Sequence, residues 1–320
     1  MKKVFLSLAI VSMVLSLFAG QKGETKVDSV VYDQGMQWKT FPSEKPIKAF
    51  AILKDMLWIA TETGLHSMNT VKSSEKKDLT AIGSLAVTDV TALAICSSGD
   101  VWVGTPDGCA VKMKDGDKIF TKDNGLPDNS VNAILPVKGK VWVATNNGAC
   151  VFQSGTWTHY STDQGLCGNN VRCLAVDKDG TMWFGTEKGI SAFDGSSWKK
   201  YSMDDGLSWN DTKVIGFDRR TNTVWAAVGE KDMNSFDGKT WKTYMDVAEG
   251  IRSIMIDTQS RVWIGTSAGL VKFNGEEWIS EQEKIGIPAT QVAQMLCDDQ
   301  GNLWFGMEKG VMKVENPYPY

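Results

Sequence analysis

The chain has 320 residues, of which 42% are hydrophobic, 22% charged and 10% aromatic, a composition typical of a globular protein with one large domain or two small ones. Its formal net charge of −4 offers no broad basic surface, so a nucleic-acid partner is not expected. The 13 Trp residues are unusually many, and most of them recur at regular intervals.

The N-terminus has the pattern of a secretory signal peptide. Lys2 and Lys3 precede an apolar run over residues 4–19, which is shorter than the roughly 20 apolar residues of a membrane-spanning helix. We therefore expect residues 1–20 to be a cleaved signal peptide and residues 21–29 a linker. The mature protein is then predicted to be periplasmic or secreted, and not to span the membrane.

An isolated strand pattern follows the linker, at residues 32–41. Its Gly-x-x-Trp core, ending at Trp38, matches the last strand of later repeats, such as residues 193–201. Here it stands before the first complete repeat, so its partner strands must lie elsewhere in the chain.

Seven copies of one unit occupy the rest of the sequence, at intervals of 38 to 44 residues. Each copy has a β-rich stretch, a turn, a second strand that begins near a Trp, a turn ending in most copies in Gly, and a third strand; most copies add a fourth. The seven marker residues are Trp58, Trp102, Trp142, Trp183, Trp225, Trp263 and Trp304. Four strands per unit of about 41 residues predict the blades of a β-propeller.

The two ends of the chain predict how the ring closes. The last repeat stops after its third strand, near Val314, and the isolated strand at residues 32–41 supplies the missing fourth. We therefore predict an all-β, seven-bladed propeller of four-stranded blades over residues 30–316, closed by the N-terminal strand, with a tail at 317–320. Such closure leaves no open sheet edge between the first and last blades.

The repeats resemble those of the two-component regulator propeller family. The resemblance rests on strands such as residues 251–257 (Ile-Arg-Ser-Ile-Met-Ile-Asp) and on Trp-Ile-Gly-Thr at residues 263–266. It implies a periplasmic propeller of the sensor type, which in that family is usually joined to a histidine kinase and often senses polysaccharide fragments. Because no kinase follows this single ring, we expect a stand-alone version that cannot pass a signal on alone.

The second residue of each first strand is a candidate for ligand binding at the mouth of the central channel. These seven residues are Lys48, Thr91, Asn132, Arg172, Lys213, Arg252 and Ala293. Four of them are cationic, so side chains that converge there would attract an anionic ligand. The alternative is that loop carboxylates neutralise them as ordinary salt bridges.

Trp209 is the second candidate, because it belongs to neither of the two regular Trp positions. It lies in the loop entering the fifth blade, between Arg172 and Lys213 of neighbouring first strands. An indole face stacks on the apolar face of a sugar, while nearby Arg and Asn side chains bond its hydroxyl groups. The alternative interpretation is that Trp209 packs against the adjacent loop.

No catalytic residue, metal site or cofactor is predicted. The two His residues, His66 and His159, are far apart and lie in strand patterns, which argues against zinc. Gly265-Thr-Ser267-Ala-Gly269 fits a nucleophile-elbow pattern, but it is a by-product of the repeat, since residues 185–189 have the same glycines. Four Cys fall at strand positions expected in the core, and their pairing stays open: Cys109, Cys150, Cys173 and Cys297.

Three functions remain. The favoured hypothesis is an exported, non-catalytic propeller that binds an oligosaccharide or other small anionic ligand at the channel mouth, in sensing or uptake. The residues predicted to bind it are Trp209, Arg172, Lys213, Arg252, Lys48 and Asn132. The alternative is a scaffold for a protein partner in the cell envelope. A polysaccharide lyase or hydrolase is third, since no His lies at the mouth to act as a base.

Overall fold

The computed structural model describes residues 28–31, 37–71, 76–280 and 290–315. Seven antiparallel sheets form the blades of a propeller, which confirms the predicted fold. The predicted signal peptide and the tail lie outside the described residues. Within the ranges described, no helix has the length and apolar character needed to cross a membrane.

The strands alternate regularly around the ring. Two precede the first blade, β1 (Asp28–Val31) and β2 (Gln37–Pro42). Blade one contains β3 (Ala49–Leu53), β4 (Met56–Thr61), β5 (Gly64–Asn69) and β6 (Lys76–Leu79). A small hairpin follows, β7 (Ala81–Ile82) and β8 (Leu85–Ala86). Blade two contains β9 (Ala92–Ile95), β10 (Val101–Thr105), β11 (Gly108–Lys112) and β12 (Lys118–Phe120). Blade three contains β13 (Val131–Val137), β14 (Lys140–Thr145), β15 (Gly148–Gln153) and β16 (Thr156–Tyr160).

The second half of the chain continues the same order. Blade four contains β17 (Val171–Val176), β18 (Met182–Thr186), β19 (Gly189–Phe193) and β20 (Trp198–Tyr201). A 3-10 turn at Met203–Asp205 leads into blade five, with β21 (Thr212–Asp218), β22 (Thr223–Val228), β23 (Asp232–Phe236) and β24 (Trp241–Tyr244). Blade six contains β25 (Ser253–Ile256), β26 (Val262–Thr266), β27 (Gly269–Phe273) and β28 (Trp278–Ser280). Blade seven contains β29 (Val292–Cys297), β30 (Leu303–Met307) and β31 (Gly310–Val314).

The first strand of each blade lines the axis. β3, β9, β13, β17, β21, β25 and β29 each contact the next around the ring, and β29 contacts β3. The loops that enter these strands lie on one face of the disc, together with the turns between second and third strands. We call this the top face. The turns between first and second strands, and between third and fourth, lie on the bottom face.

The N-terminal strand closes the ring as predicted. β2 pairs antiparallel with β31, so that Phe41 lies opposite Val311 and Lys39 opposite Lys313. β1 then pairs with the outer edge of β2, which gives blade seven a fifth strand. The sequence did not predict this strand, which begins inside the segment expected to be a linker.

Large aromatic side chains fill the spaces between blades. Six of the seven second-strand Trp residues are at most 6% exposed, and Trp58 of blade one is partly buried. In several blades the indole stacks on the aromatic residue of the fourth strand, as Trp183 does on Tyr201 at 5.7 Å between ring centroids. The fourth-strand Trp of the next blade then stands edge-on to that ring, as Trp241 does to Tyr201. Packing of this kind joins the sheets through apolar area and aromatic geometry.

The recurring Thr-x-x-Gly sequence is explained by a hydrogen-bonded turn on the top face. In blade four the Thr186 hydroxyl donates to the Gly189 carbonyl at 2.8 Å and accepts the Lys188 N–H at 3.1 Å. Gly189 has φ near +130°, and a Cβ there would lie 2.3 Å from the Tyr201 carbonyl oxygen. Glycine is therefore required where this turn meets the fourth strand.

All six Cys residues are unpaired. Cys109, Cys150 and Cys173 are buried in the core, as predicted, whereas Cys297 is only partly buried. Burial raises the pKa of the Cys173 thiol to about 12, and that of Cys297 to about 11. The buried thiols act as small apolar core residues.

Candidate ligand-binding site at the channel mouth

Four of the seven second-position residues lie at β-bulges, and the other three immediately precede their first strands. In β13, β17, β21 and β29 the register with the second strand shifts across this residue, so that it has no partner opposite. Bulges re-aim a side chain out of the regular alternation of a strand. The bulges occur where these four first strands begin at the top face.

Several of these side chains reach the start of the next blade. Lys48 forms an ion pair with Asp89, and the Thr91 hydroxyl donates to the Val131 carbonyl. The Asn132 amide donates to the Val171 carbonyl at 2.9 Å. Arg172 forms an ion pair with Asp211, which immediately precedes β21. The side chains therefore link neighbouring blades around the mouth of the channel.

Asp211 is the centre of the largest of these networks. Besides Arg172 of blade four, it binds the Lys213 ammonium group at 2.7 Å. Lys213 lies 3.6 Å from Glu230 as well. Partial burial alone would raise the pKa of the Asp211 carboxyl, but the hydrogen bonds and charges of Lys213 and Arg172 outweigh it and hold the pKa below its ordinary value. The carboxylate is thus fully ionised at neutral pH.

The predicted residues are brought to one face of the disc, with unequal environments. Lys48, Arg172 and Lys213 are ion-paired, which is the alternative that their sequence context left open. The Arg252 side chain is exposed and has no ion pair among the described residues. Ala293 is partly buried. The positive charge of the mouth is therefore largely neutralised within the protein.

Three loops on the top face share one framework. In the loop entering blade five, the Asn210 carboxamide oxygen accepts the Met203 N–H at 2.8 Å. Asn169 accepts from Thr162 at 2.9 Å in the loop entering blade four, and Asn129 accepts from Lys122 at 2.7 Å in the loop entering blade three. Side-chain bonds of this type hold a loop in a fixed conformation. The three loops can therefore be compared position by position.

Trp209 occupies a position where the other two loops have Asp128 and Gly168. Its side chain is 54% exposed, so about half of the indole is available to a ligand. The buried part lies against Gly229, in the turn between β22 and β23. A Cβ on Gly229 would lie 2.6 Å from Trp209 Cδ1, so this contact requires glycine. The indole thus packs against Gly229 on its buried side and is exposed to solvent on the other.

Blade five is adapted around this contact. Its turn between second and third strands has three residues, 229–231, where other blades have two. Gly229 has φ near +61°, and its N–H donates to the Asp211 carbonyl at 2.7 Å. The same backbone segment therefore carries both Trp209 and the charged network. The sequence signal for Gly229 was the loss of both the Thr and the Gly of the Thr-x-x-Gly pattern, since blade seven lacks only the Thr.

The two His residues lie away from Trp209 and its charged network. His66 Nδ1 lies 2.7 Å from Asp78 Oδ1, on the third and fourth strands of blade one. His159, on β16, contacts the Gly125 carbonyl at 2.8 Å. Ser267 bonds the Glu249 carbonyl at 3.3 Å, in a turn between strands. Among the described residues, no group of three His, Cys, Asp or Glu side chains could hold a metal ion.

One segment of the chain matches the model of a known protein family. The model of the two component regulator propeller family matches residues 165–188, from the loop entering blade four to its second turn. This match confirms the resemblance at the repeat of blade four, in a chain that folds as a seven-bladed propeller. The comparison with curated proteins finds no match.

Solved structures with the same fold have diverse roles. The chain resembles the extracellular domain of a hybrid two component system from B. thetaiotaomicron, with a TM-score of 0.70 and 20% identity over 91% of this chain and 45% of that one. Virginiamycin B lyase from Staphylococcus aureus has a TM-score of 0.68 and 13% identity, over 91% and 99% of the two chains. The structure of YCF48 bound to D1 peptide has a TM-score of 0.65 and 13% identity, over 91% of this chain and 97% of that one.

The first of these relatives is much longer than the present protein, which spans less than half of its length. All three identities are low, so the comparisons establish the fold alone. The function has to be argued from the residues of the site.

Proposed function

We propose that this protein is an exported, non-catalytic propeller that binds an oligosaccharide on its top face, at the loop entering blade five. The observation that carries the proposal is Trp209, a half-exposed indole supported by Gly229 beside the Arg172–Asp211–Lys213 network. A flat aromatic face with fixed hydrogen-bonding groups beside it suits the alternating apolar and hydroxyl surface of a sugar.

The pairing of the cations favours a neutral sugar over an acidic one. Arg172 and Lys213 share Asp211, and Lys213 is also near Glu230, so little net positive charge remains beside Trp209. Paired groups still offer N–H donors and carboxylate acceptors to hydroxyl groups. An acidic oligosaccharide would have to rely on Arg252, the one unpaired cation of the predicted set among the described residues.

A thermal-shift screen with neutral and uronic-acid oligosaccharides tests the proposal, because a ligand that binds only the folded state raises the melting temperature. Calorimetry then compares Trp209→Ala with Asp128→Ala, the equivalent position in blade three. We expect Trp209→Ala to abolish the binding and Asp128→Ala to leave it unchanged. Equal affinities in the two variants, or no shift with any sugar, would contradict the proposal.

The second candidate is a scaffold for a protein of the cell envelope. It is favoured by two further exposed apolar side chains in loops of the top face, Met203 at 51% and Met245 at 70% exposure. Met203 belongs to the same loop as Trp209. If no sugar binds, a pull-down from envelope extract that depends on both Trp209 and Met203 would support this alternative. N-terminal sequencing of the mature protein tests export.

A further inference from the structure

The bottom face contains a cleft between blades five and six, on the opposite side of the disc from Trp209. Its volume is about 470 Å³, within the range of small-molecule sites. Its lining includes Trp225 and Thr223 of blade five and Gln259, Arg261, Lys272 and Asn274 of blade six. The walls are therefore rich in hydrogen-bond donors.

Trp225 differs from its equivalents in three other blades. In blades four, six and seven, the indole N–H donates to the Asp that follows the first strand, at 3.3, 3.0 and 2.9 Å. Trp225 is 6% exposed and lines the cleft, and no hydrogen bond from its indole N–H is found among the described residues. An indole N–H can only donate, so it is left to solvent or to a ligand in the cleft. The cleft is where an acceptor from a ligand would meet it.

The expected acceptor, Asp218, is engaged elsewhere. The turn after it is one residue longer than in blades four, six and seven, with six residues between Asp218 and Trp225 where those blades have five. One carboxylate oxygen accepts the Ser260 hydroxyl at 2.8 Å, and the other accepts the Thr221 hydroxyl at 2.7 Å. Asp218 is thereby turned toward blade six, away from the indole of its own blade.

The backbone conformation of Ser260 supports a specific contact between this residue and Asp218. Its φ is +64°, at a position where the turns of blades four and seven have Gly180 and Gly301. A non-glycine residue in this region costs free energy that the surrounding contacts must offset. Its hydroxyl contact with Asp218 joins the two walls of the cleft. The cleft is thus maintained by a specific bond between blades.

Charge indicates the kind of ligand. Arg261 binds Asp257 through Nε at 2.6 Å, and Lys272 lies over the Trp263 ring at 5.2 Å, and both side chains also line the cleft. Asp218 is the one carboxylate in the lining, and its oxygens are already bonded. We infer that this cleft binds a small organic carboxylate, whose oxygens accept from the Trp225 indole N–H and from the flanking cations.

Succinate is a suitable probe, with butane-1,4-diol as its uncharged counterpart. In ¹⁵N spectra of the full-length mature protein, the Trp225 indole resonance is assigned by its loss in Trp225→Phe. We expect succinate to shift this resonance in a saturable way and the diol to leave it unchanged. High salt should weaken the binding, because the contact is between charges.

A matched pair of variants tests the role of the charge. Lys272→Met removes the ammonium group but keeps the side chain over Trp263, and we expect it to weaken succinate binding at least tenfold. Lys313→Met is the control, because Lys313 lies over Trp304 at 5.6 Å at the same position of blade seven, away from the cleft. Its affinity should stay within twofold of the parent protein.

Two results would overturn the inference. One is an unchanged Trp225 resonance at saturating succinate concentrations, and the other is an equal loss of affinity in Lys272→Met and Lys313→Met. Trp209→Ala should leave succinate binding intact, so failure here and failure of the sugar-binding proposal can be told apart. If Trp225→Phe does not fold, the lysine pair still decides the outcome by calorimetry.

Discussion

The Phe41 ring stacks on the Trp304 indole, with ring centroids 5.7 Å apart and an angle of 18° between the planes. The two residues come from opposite ends of the propeller sequence, yet their geometry matches that of Trp183 and Tyr201 within blade four. Phe41 thus packs on the second-strand Trp of blade seven in the same way as Tyr201 packs on the Trp of its own blade. The contact joins the ends of the ring through buried apolar surface.

Replacement of Phe41 by Ala should therefore weaken the whole ring. The side chain is fully buried, and truncations of buried Phe typically cost about 3–5 kcal/mol of unfolding free energy. Phe120→Ala is the control, since Phe120 stacks on Trp102 in blade two but is only partly buried, and we expect a smaller loss. Urea unfolding measures both, and an equal or smaller effect for Phe41→Ala would argue against a closing role.

Gly229→Ala should disturb the ligand site more than the fold. The new Cβ would meet Trp209 at 2.6 Å and displace the indole, so affinity for a bound sugar should fall at least tenfold. Gly238→Ala is the control, because Gly238 also has positive φ but nothing lies within 4 Å of its Cβ position. Both variants place Ala at a positive φ and should lose about 1–2 kcal/mol of stability, and calorimetry should show lost binding only in Gly229→Ala.

The acid dependence of stability should depend in part on Asp211. Its pKa is lower in the folded state than in the unfolded chain, so its contribution is fully present above the unfolded pKa and is lost as pH falls through the folded value. Compared with Asp211→Asn, the parent protein should be more stable at pH 7 and lose this advantage below about pH 4.

Urea unfolding at a series of pH values tests this expectation. Asp163→Asn serves as the control, because Asp163 is exposed in the equivalent region of the loop entering blade four and has no ion pair among the described residues. An advantage over Asp211→Asn that stays constant from pH 7 to pH 3 would show that the Asp211 charge contributes nothing to folding.

The six thiols should remain free and largely unreactive in the native protein. Burial raises the pKa of Cys109, Cys150 and Cys173, the last to about 12, and the thiolate is the reactive form. At pH 8 we expect these three to resist alkylation, with Cys167 in its partly exposed loop reacting first. Denaturation without reductant should then expose six reactive thiols by mass spectrometry, whereas fewer would reveal a disulfide.

The repeat pattern explains how much of the fold was predictable. A Trp at the same point of every unit, and a turn Gly in six of the seven, indicated the same strands and turns along the chain, and the unmatched strand near Trp38 predicted the closure. The extra strand β1 escaped prediction because it has no repeat pattern to match. The fourth strand of blade one, at Lys76–Leu79, likewise has no Gly-x-x-Trp pattern, so the repeat did not indicate it.

The candidate site was predictable only in part. Trp209 was noticed because it lies outside the two regular Trp positions, and the second-position residues because they recur at one position of every repeat. The structure brings them to one face. That Arg172 would meet Asp211, and that Lys213 would share it, depended on distances between blades, which a repeat does not encode.

The sequence by itself determined the number of blades, their strand order and the way the ring closes, because these follow from local periodicity repeated along the chain. Only the tertiary structure decided which charges neutralise one another at the mouth, and which glycine supports Trp209. It alone decided that Trp225 would line a cleft, with no acceptor for its N–H among the residues that the structure describes. Those features arise where adjacent blades meet, so they depend on contacts between residues distant in sequence.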